Sequence, residues 1–114
     1  MKKTSLIVGG TKGIGSVITK RLLQRGDKIF TLSRLKSKKS NHINCDLSLE
    51  IDKKYLKDKL KNKKIDNLVF SQRYRGSVTN MDLKIMINST NVIIELLKDR
   101  LSKNSSITIL SSIA

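Results

Sequence analysis

Short apolar runs alternate along this chain with longer stretches in which apolar residues recur every three or four positions. Leu6-Ile7-Val8 is the first strand signal and Ile29-Phe30-Thr31-Leu32 the second. Ile43-Asn44-Cys45 is a weaker third, ending at Asp46-Leu47-Ser48. Asn67-Leu68-Val69-Phe70 reads as a buried fourth strand and Ile107-Thr108-Ile109-Leu110 as a fifth. Runs this short, bounded by polar turn residues, suit strands. Between them, Gly13 to Arg25 carries Ile14, Ile18 and Leu22 at four-residue spacing, with Gly26 placed as a C-terminal cap. Ser48 is positioned to cap a second helix, with Glu50 and Asp52 in its first turn. A third helical pattern runs from Met81 to Lys103. Its apolar residues (Leu83, Met86, Ile87, Val92, Ile93, Ile94, Leu96, Leu97 and Leu101) wrap more than one face, as in a helix covered on two sides.

Strands alternating with helices place the chain in the α/β class, as one Rossmann-like, doubly wound parallel sheet spanning 1–114. Right-handed crossovers give about five strands in the order 3-2-1-4-5. A ligand then lies at the carboxyl ends of the strands, where Gly9 to Gly15, Ser33, Asp46, Ser71 and Ser111 all fall.

The stretch Val8-Gly9-Gly10-Thr11-Lys12-Gly13-Ile14-Gly15 lies directly between the first strand and the first helix. Strand, glycine turn and helix form the setting in which backbone N–H groups and the positive helix end face an anion. Gly9 suits a tight exit from the strand, Gly13 a close approach of the main chain to a pyrophosphate, and Gly15 close packing of helix on strand. An ordinary glycine-rich βα loop is the competing reading, and the flanking elements disfavour it. Three residues separate Gly9 from Gly13, so the spacing is not the Gly-x-Gly-x-x-Gly of most dinucleotide folds. It resembles the fingerprint of the short-chain dehydrogenase/reductase family, Thr-Gly-x-x-x-Gly-Ile-Gly, with Val8 in place of the threonine.

The resemblance extends along the whole chain. It implies that Gly9, Thr11, Lys12, Gly13, Ile14 and Gly15 meet a nicotinamide dinucleotide. An acidic residue ending the second strand would bond the free 2′-hydroxyl of NAD. Ser33-Arg34 stands there instead, with Lys12 in the glycine loop; two cations and no carboxylate suit the 2′-phosphate of NADP, so NADP(H) is favoured over NAD(H). A chain this basic also places positive charge there by chance. Asp46-Leu47 is similar to the family's adenine-contacting pair; Asp46 is equally suited to helix capping. Cys45 reads as a small packing residue. Asn88 aligns with the family asparagine that holds a proton-relay water, and asparagine in mid-helix is unfavourable without a bonding partner. Ser111-Ser112 resembles the catalytic serine segment, pointing to Ser112, whose hydroxyl would polarise a substrate carbonyl.

Two departures stand out. The family's Asn-Asn-Ala-Gly is replaced by Phe70-Ser71-Gln72-Arg73, putting Ser71 in the cofactor set and a bulky Arg73 nearby; Arg73 either turns outward or joins Arg75 in an anion pocket. The Tyr-x-x-x-Lys expected after the serine is absent. The string Tyr55-Leu56-Lys57-Asp58-Lys59 lies on the second helix, in a lysine-dense stretch, and is rejected as catalytic. The single His42 lies in a polar loop, and no metal-ligand cluster is present.

The implied function is an NADP(H)-dependent oxidoreductase moving hydride between nicotinamide and a carbonyl or alcohol carbon. This chain corresponds to its N-terminal part, truncated after strand five and expected to be inactive alone. The alternative is a non-catalytic NADP(H)-binding sensor or partner subunit. The helix over 81–103 resembles the family's dimerisation helix, implying a homo-oligomer when complete.

Composition changes this picture little. The net charge of +15 admits nucleic-acid or anionic-membrane binding. However, only six of the 24 basic residues are arginine and only four aromatics accompany them, so stacking on single strands is poorly supported and nucleic acid is disfavoured. One cysteine permits no internal disulfide, which with the absence of a long apolar run suggests a soluble cytoplasmic protein.

Overall fold

A computed structural model describes residues 2–9, 13–47, 50–61, 63–71 and 80–110. Five parallel strands, β1 (Thr4–Val8), β2 (Lys28–Ser33), β3 (His42–Asn44), β4 (Ile65–Phe70) and β5 (Leu101–Ile109), form one sheet ordered β3-β2-β1-β4-β5. Helices α1 (Gly13–Arg25), α2 (Lys53–Leu60) and α3 (Asn80–Leu97) connect them, and a single 3₁₀ turn, Lys98–Arg100, leads into β5. The expected strand order is therefore the observed one.

The two-residue period of a strand divides the apolar residues between the sheet's faces. Leu6 and Val8 of β1, Phe30 and Leu32 of β2, and Leu68 and Phe70 of β4 join Leu56 and Leu60 of α2 and Ile93 and Leu97 of α3 in the larger core. Ile7, Ile29 and Val69 point the other way, against Ile18 and Leu22 of α1. Helices thus cover both faces, with α1 on one and α2 and α3 on the other. Among the described residues no helix is long and apolar enough to cross a membrane.

Four local expectations are corrected. Ile14 does not share the inner face of Ile18 and Leu22; it is exposed. Helix α2 starts at Lys53, not after Ser48, and its cap is Asp52, whose Oδ1 accepts from the Tyr55 N–H at 3.0 Å; Ser48 lies outside the described residues. The preceding Leu47 and Ile51 instead pack on the core ahead of the helix. The third helix ends at Leu97 rather than Lys103, and β5 starts at Leu101. There Leu101 pairs with Ile65 while Ser106 pairs with Asn67, so four residues of β5 bulge opposite Asp66. Finally, β3 starts at His42, which is buried rather than in a loop.

The end of α1 is fixed as its sequence suggests: Gly26 N–H donates to Leu23 O and Asp27 N–H to Leu22 O, closing the last carbonyls. Asp27, buried, receives Arg25 in a two-pronged pair, Nε to Oδ1 at 3.1 Å and Nη2 to Oδ2 at 2.5 Å. Polar bonds continue across that face: Ser5 Oγ donates to Asp27, Asn67 Nδ2 to Ser5 Oγ, and Ser106 Oγ to Asn67 Oδ1. Nearby, Asp66 accepts from the Thr4 N–H at 2.8 Å and from Ser102 Oγ at 2.7 Å.

These bonds favour ionised carboxylates. Arg25 holds Asp27 below its ordinary range, and the Thr4 N–H and Ser102 hydroxyl do the same for Asp66. A carboxyl whose folded pKa lies below its unfolded value contributes stability above the unfolded value, and loses it as pH falls through the folded one. The melting midpoint should therefore be flat between about pH 7 and 5 and fall below about pH 4. Asp27→Asn should lower the plateau and flatten the fall; a wild-type midpoint unchanged between pH 5 and 3 would contradict this account.

Candidate functional site

All five strands are parallel, so their carboxyl ends share one edge of the sheet. Going from β1 the chain winds first toward β2 and β3 and then crosses to β4. The crevice outside the ends of β1 and β4 is where an open α/β sheet receives a ligand. Gly9 follows β1 there and Ser71 follows β4. They are tied together: the Ser71 N–H and Oγ both donate to Val8 O, at 2.9 and 3.0 Å. On the other side the Gly9 N–H donates to Leu32 O at 2.7 Å.

The glycines have separable structural reasons. Gly9 (φ 84°) and Gly13 (φ 57°) occupy the left-handed region, which disfavours a side chain. At Gly13 an added Cβ would meet no atom of the described residues within 4 Å, apart from its own chain neighbours. Gly15 is different: it is buried, and an added Cβ would press into the Gly9 carbonyl and lie 2.5 Å from Ser71 Oγ. The N-terminus of α1 therefore sits against the loop leaving β1 because residue 15 has no side chain.

Ser33 and Arg34 stand at the end of β2. Ser33 Oγ accepts from the Leu35 N–H at 3.1 Å, Ser33 O accepts from Cys45 N–H, and Arg34 is exposed. Next to them, Cys45, Asp46 and Leu47 follow β3, all half-buried. Burial raises the Cys45 thiol above its ordinary value, with the Asp46 and Asp52 carboxylates adding to it, which suits a packing residue more than a nucleophile. The structure thus gathers Gly9, Gly13, Ile14, Gly15, Ser33, Arg34, Asp46, Leu47 and Ser71 along one edge. Thr11, Lys12, Gln72, Arg73, Arg75, Ser111 and Ser112 lie outside the described residues. Asn88 lies on α3, exposed beside Ile87. Tyr55 and Lys59 belong to α2, which packs beneath the larger core.

Positive charge is not confined to this edge. At the opposite edge Lys63 and Lys61 crowd Lys28, lowering its ammonium pKa, Lys63 acting most strongly. Charge alone does not mark the site.

The residue that sequence reasoning missed is His42. Its Nδ1 lies 2.7 Å from Thr31 Oγ1 and its Nε2 2.7 Å from Leu35 O. A position directly before an apolar residue, pairing with Thr31 across parallel strands, was the available signal.

No protein-family model matches the sequence and no curated protein matches it. Solved structures do, and they are short-chain dehydrogenase/reductase proteins. A short chain dehydrogenase family protein from Francisella tularensis aligns with a TM-score of 0.82 at 24% identity, over 98% of this chain and 52% of that one. An oxidoreductase of the same family from Brucella ovis, in complex with a partially ordered NAD, gives 0.76 at 19% identity, over 94% and 61%. A carbonyl reductase from Pseudomonas aeruginosa, in complex with NADP, gives 0.77 at 18% identity, over 98% and 59%. This chain has the fold of those proteins and spans roughly half to three-fifths of their length.

Proposed function

We propose that this chain is the nucleotide-binding portion of an NADP(H)-dependent short-chain dehydrogenase/reductase. The observation that carries the reading is the crevice between β1 and β4, where Gly15 lets α1 abut Gly9 and Ser71, and where an added Cβ at Gly13 would meet no atom of the described residues within 4 Å. Residue types at the neighbouring strand ends fit a dinucleotide. Gly9 to Gly15 would hold the pyrophosphate, Asp46 and Leu47 the adenine, and Ser33 and Arg34 the 2′-phosphate, with Lys12 assisting. The bound cofactor would supply hydride chemistry with a carbonyl or alcohol. Toward that chemistry the chain would bring Ser112, to polarise the carbonyl oxygen, and Asn88, to hold a relay water. The exposed Ile87 on α3 supports association of two copies through this helix in the complete protein.

A second reading, a non-catalytic NADP(H)-binding sensor or partner subunit, draws on the Phe70-Ser71-Gln72-Arg73 replacement. Phe70 is 1% exposed within the larger core, so this strand end is built for packing.

The test common to both is a thermal melt with NADPH, with NADH and with neither. A ligand bound only by the folded state at a hundred times its Kd adds about 2.7 kcal/mol. The midpoint should rise with both cofactors and more with NADPH. A cooperative melt moved by neither would overturn both readings. Hydride transfer to a panel of carbonyl compounds by the complete protein, or its absence there while cofactor still binds, then separates enzyme from sensor.

A further inference from the structure

Arg34 is exposed, yet the residues on either side of it are held. Ser33 closes β2, its carbonyl accepting from Cys45 N–H at 2.8 Å. Leu35 has a side chain that is 50% exposed, so side-chain burial does not account for its position. Its main chain does: the N–H donates to Ser33 Oγ and the carbonyl faces His42 Nε2. A carbonyl only accepts, so Nε2 carries the proton; in the neutral ring Nδ1 then accepts from the Thr31 hydroxyl. His42 is 3% exposed, and Thr31 is its register partner across β2 and β3. The ring therefore ties the connector between those strands to the sheet at the residue after Arg34. The rest of the connector is bonded too: His42 N–H donates to Lys39 O, Lys39 N–H to Ser37 Oγ, and Asn41 Nδ2 to Ile29 O.

We infer that His42 is a positioning residue for cofactor selection, holding the Leu35 carbonyl so that Arg34 is presented at the strand end that meets the 2′-phosphate. The inference rests on the NADP(H) reading above. It adds a residue that touches no cofactor and acts through the main chain beside Arg34. An unanchored arginine must be ordered by the ligand at a cost in conformational entropy; an anchored backbone reduces that cost.

The experiment compares NADPH and NADH affinities by titration calorimetry for wild type, His42→Phe and His42→Gln. Phenylalanine keeps a planar ring while removing both polar nitrogens; glutamine retains a donor. With His42→Phe the NADPH affinity should fall about threefold, within the roughly fivefold that Arg34 itself can supply, while the NADH affinity stays within about 1.5-fold of wild type and His42→Gln recovers part of the loss. Amide exchange at Leu35 should accelerate in His42→Phe without cofactor. If His42→Phe fails to melt cooperatively, Thr31→Val removes one anchor of the ring and should show the same selective loss at smaller size. Wild type binding NADPH while the folded variants lose nothing, or lose both cofactors equally, would overturn the role of His42 and leave the functional reading standing. Wild type binding neither cofactor would overturn both.

Discussion

Gly15→Ala should lower the melting midpoint by several degrees and abolish the rise caused by NADPH. In an unobstructed helix the same change adds stability, because alanine exceeds glycine in helix propensity by about 1 kcal/mol. Gly15 has ordinary helical backbone within α1, so that gain is available in principle. The surroundings reverse the sign. A Cβ would press into the Gly9 carbonyl and lie 2.5 Å from Ser71 Oγ. A serine side chain can rotate away, but the Gly9 carbonyl belongs to main chain whose N–H is bonded to Leu32 O, so α1 must move instead. Overpacking of this kind costs about 1–3 kcal/mol, and each kcal/mol lowers the midpoint by about 4–8 °C in a domain of this size. On the proposed reading, the displaced helix would also carry away the N–H groups that hold the pyrophosphate. Gly15→Ala combined with Ser71→Ala should recover only part of the loss, since the obstructing carbonyl remains. A midpoint at or above wild type for Gly15→Ala, with NADPH response intact, would show that the close approach is not what sets the site.

What could be read from the sequence follows from how locally each feature is determined. The strand order was accessible because short apolar runs and intervening helical periods leave few right-handed arrangements, and Leu6, Ile7 and Val8 distribute to both faces as such a sheet requires. The glycine edge was accessible because its residues are contiguous. Errors fall where distant residues decide. Leu101 fits the helical period of Ile94 and Leu97, but its strand state is secured by Ile65, and the following serines by Asp66 and Asn67, all more than thirty positions away. Ser48 and Asp52 are both competent caps; the choice falls to Asp52 because Leu56 and Leu60, one turn apart, reach the core from a helix starting at Lys53. For His42, one ring partner is a carbonyl seven residues back and the other a hydroxyl eleven residues back. Hydropathy carries no trace of either bond.

If the proposed NADP(H) preference holds, one residue at the same strand end should reverse it. Arg34→Asp should weaken NADPH binding by about tenfold while leaving NADH binding unchanged or tighter. Arg34 is exposed, so its attraction for a 2′-phosphate is screened, and an exposed ion pair is worth only about 0–1 kcal/mol. Loss of the arginine alone would therefore cost about fivefold at most. The aspartate adds repulsion of similar size toward the phosphate, carrying the total to the tenfold range. Toward NADH the balance inverts, because a carboxylate ending the second strand can accept from the free 2′-hydroxyl. Arg34→Lys should fall between wild type and Arg34→Asp, keeping the charge but losing the two-pronged fork that matches a phosphate. Raising salt should weaken wild-type NADPH binding more than NADH binding, since charge is the source of the difference. Titrations of both cofactors against the three proteins provide the measurement. Equal loss of both in Arg34→Asp would mean that Arg34 supports the fold of this corner without reading the 2′ position, and the preference would have to arise elsewhere on the edge.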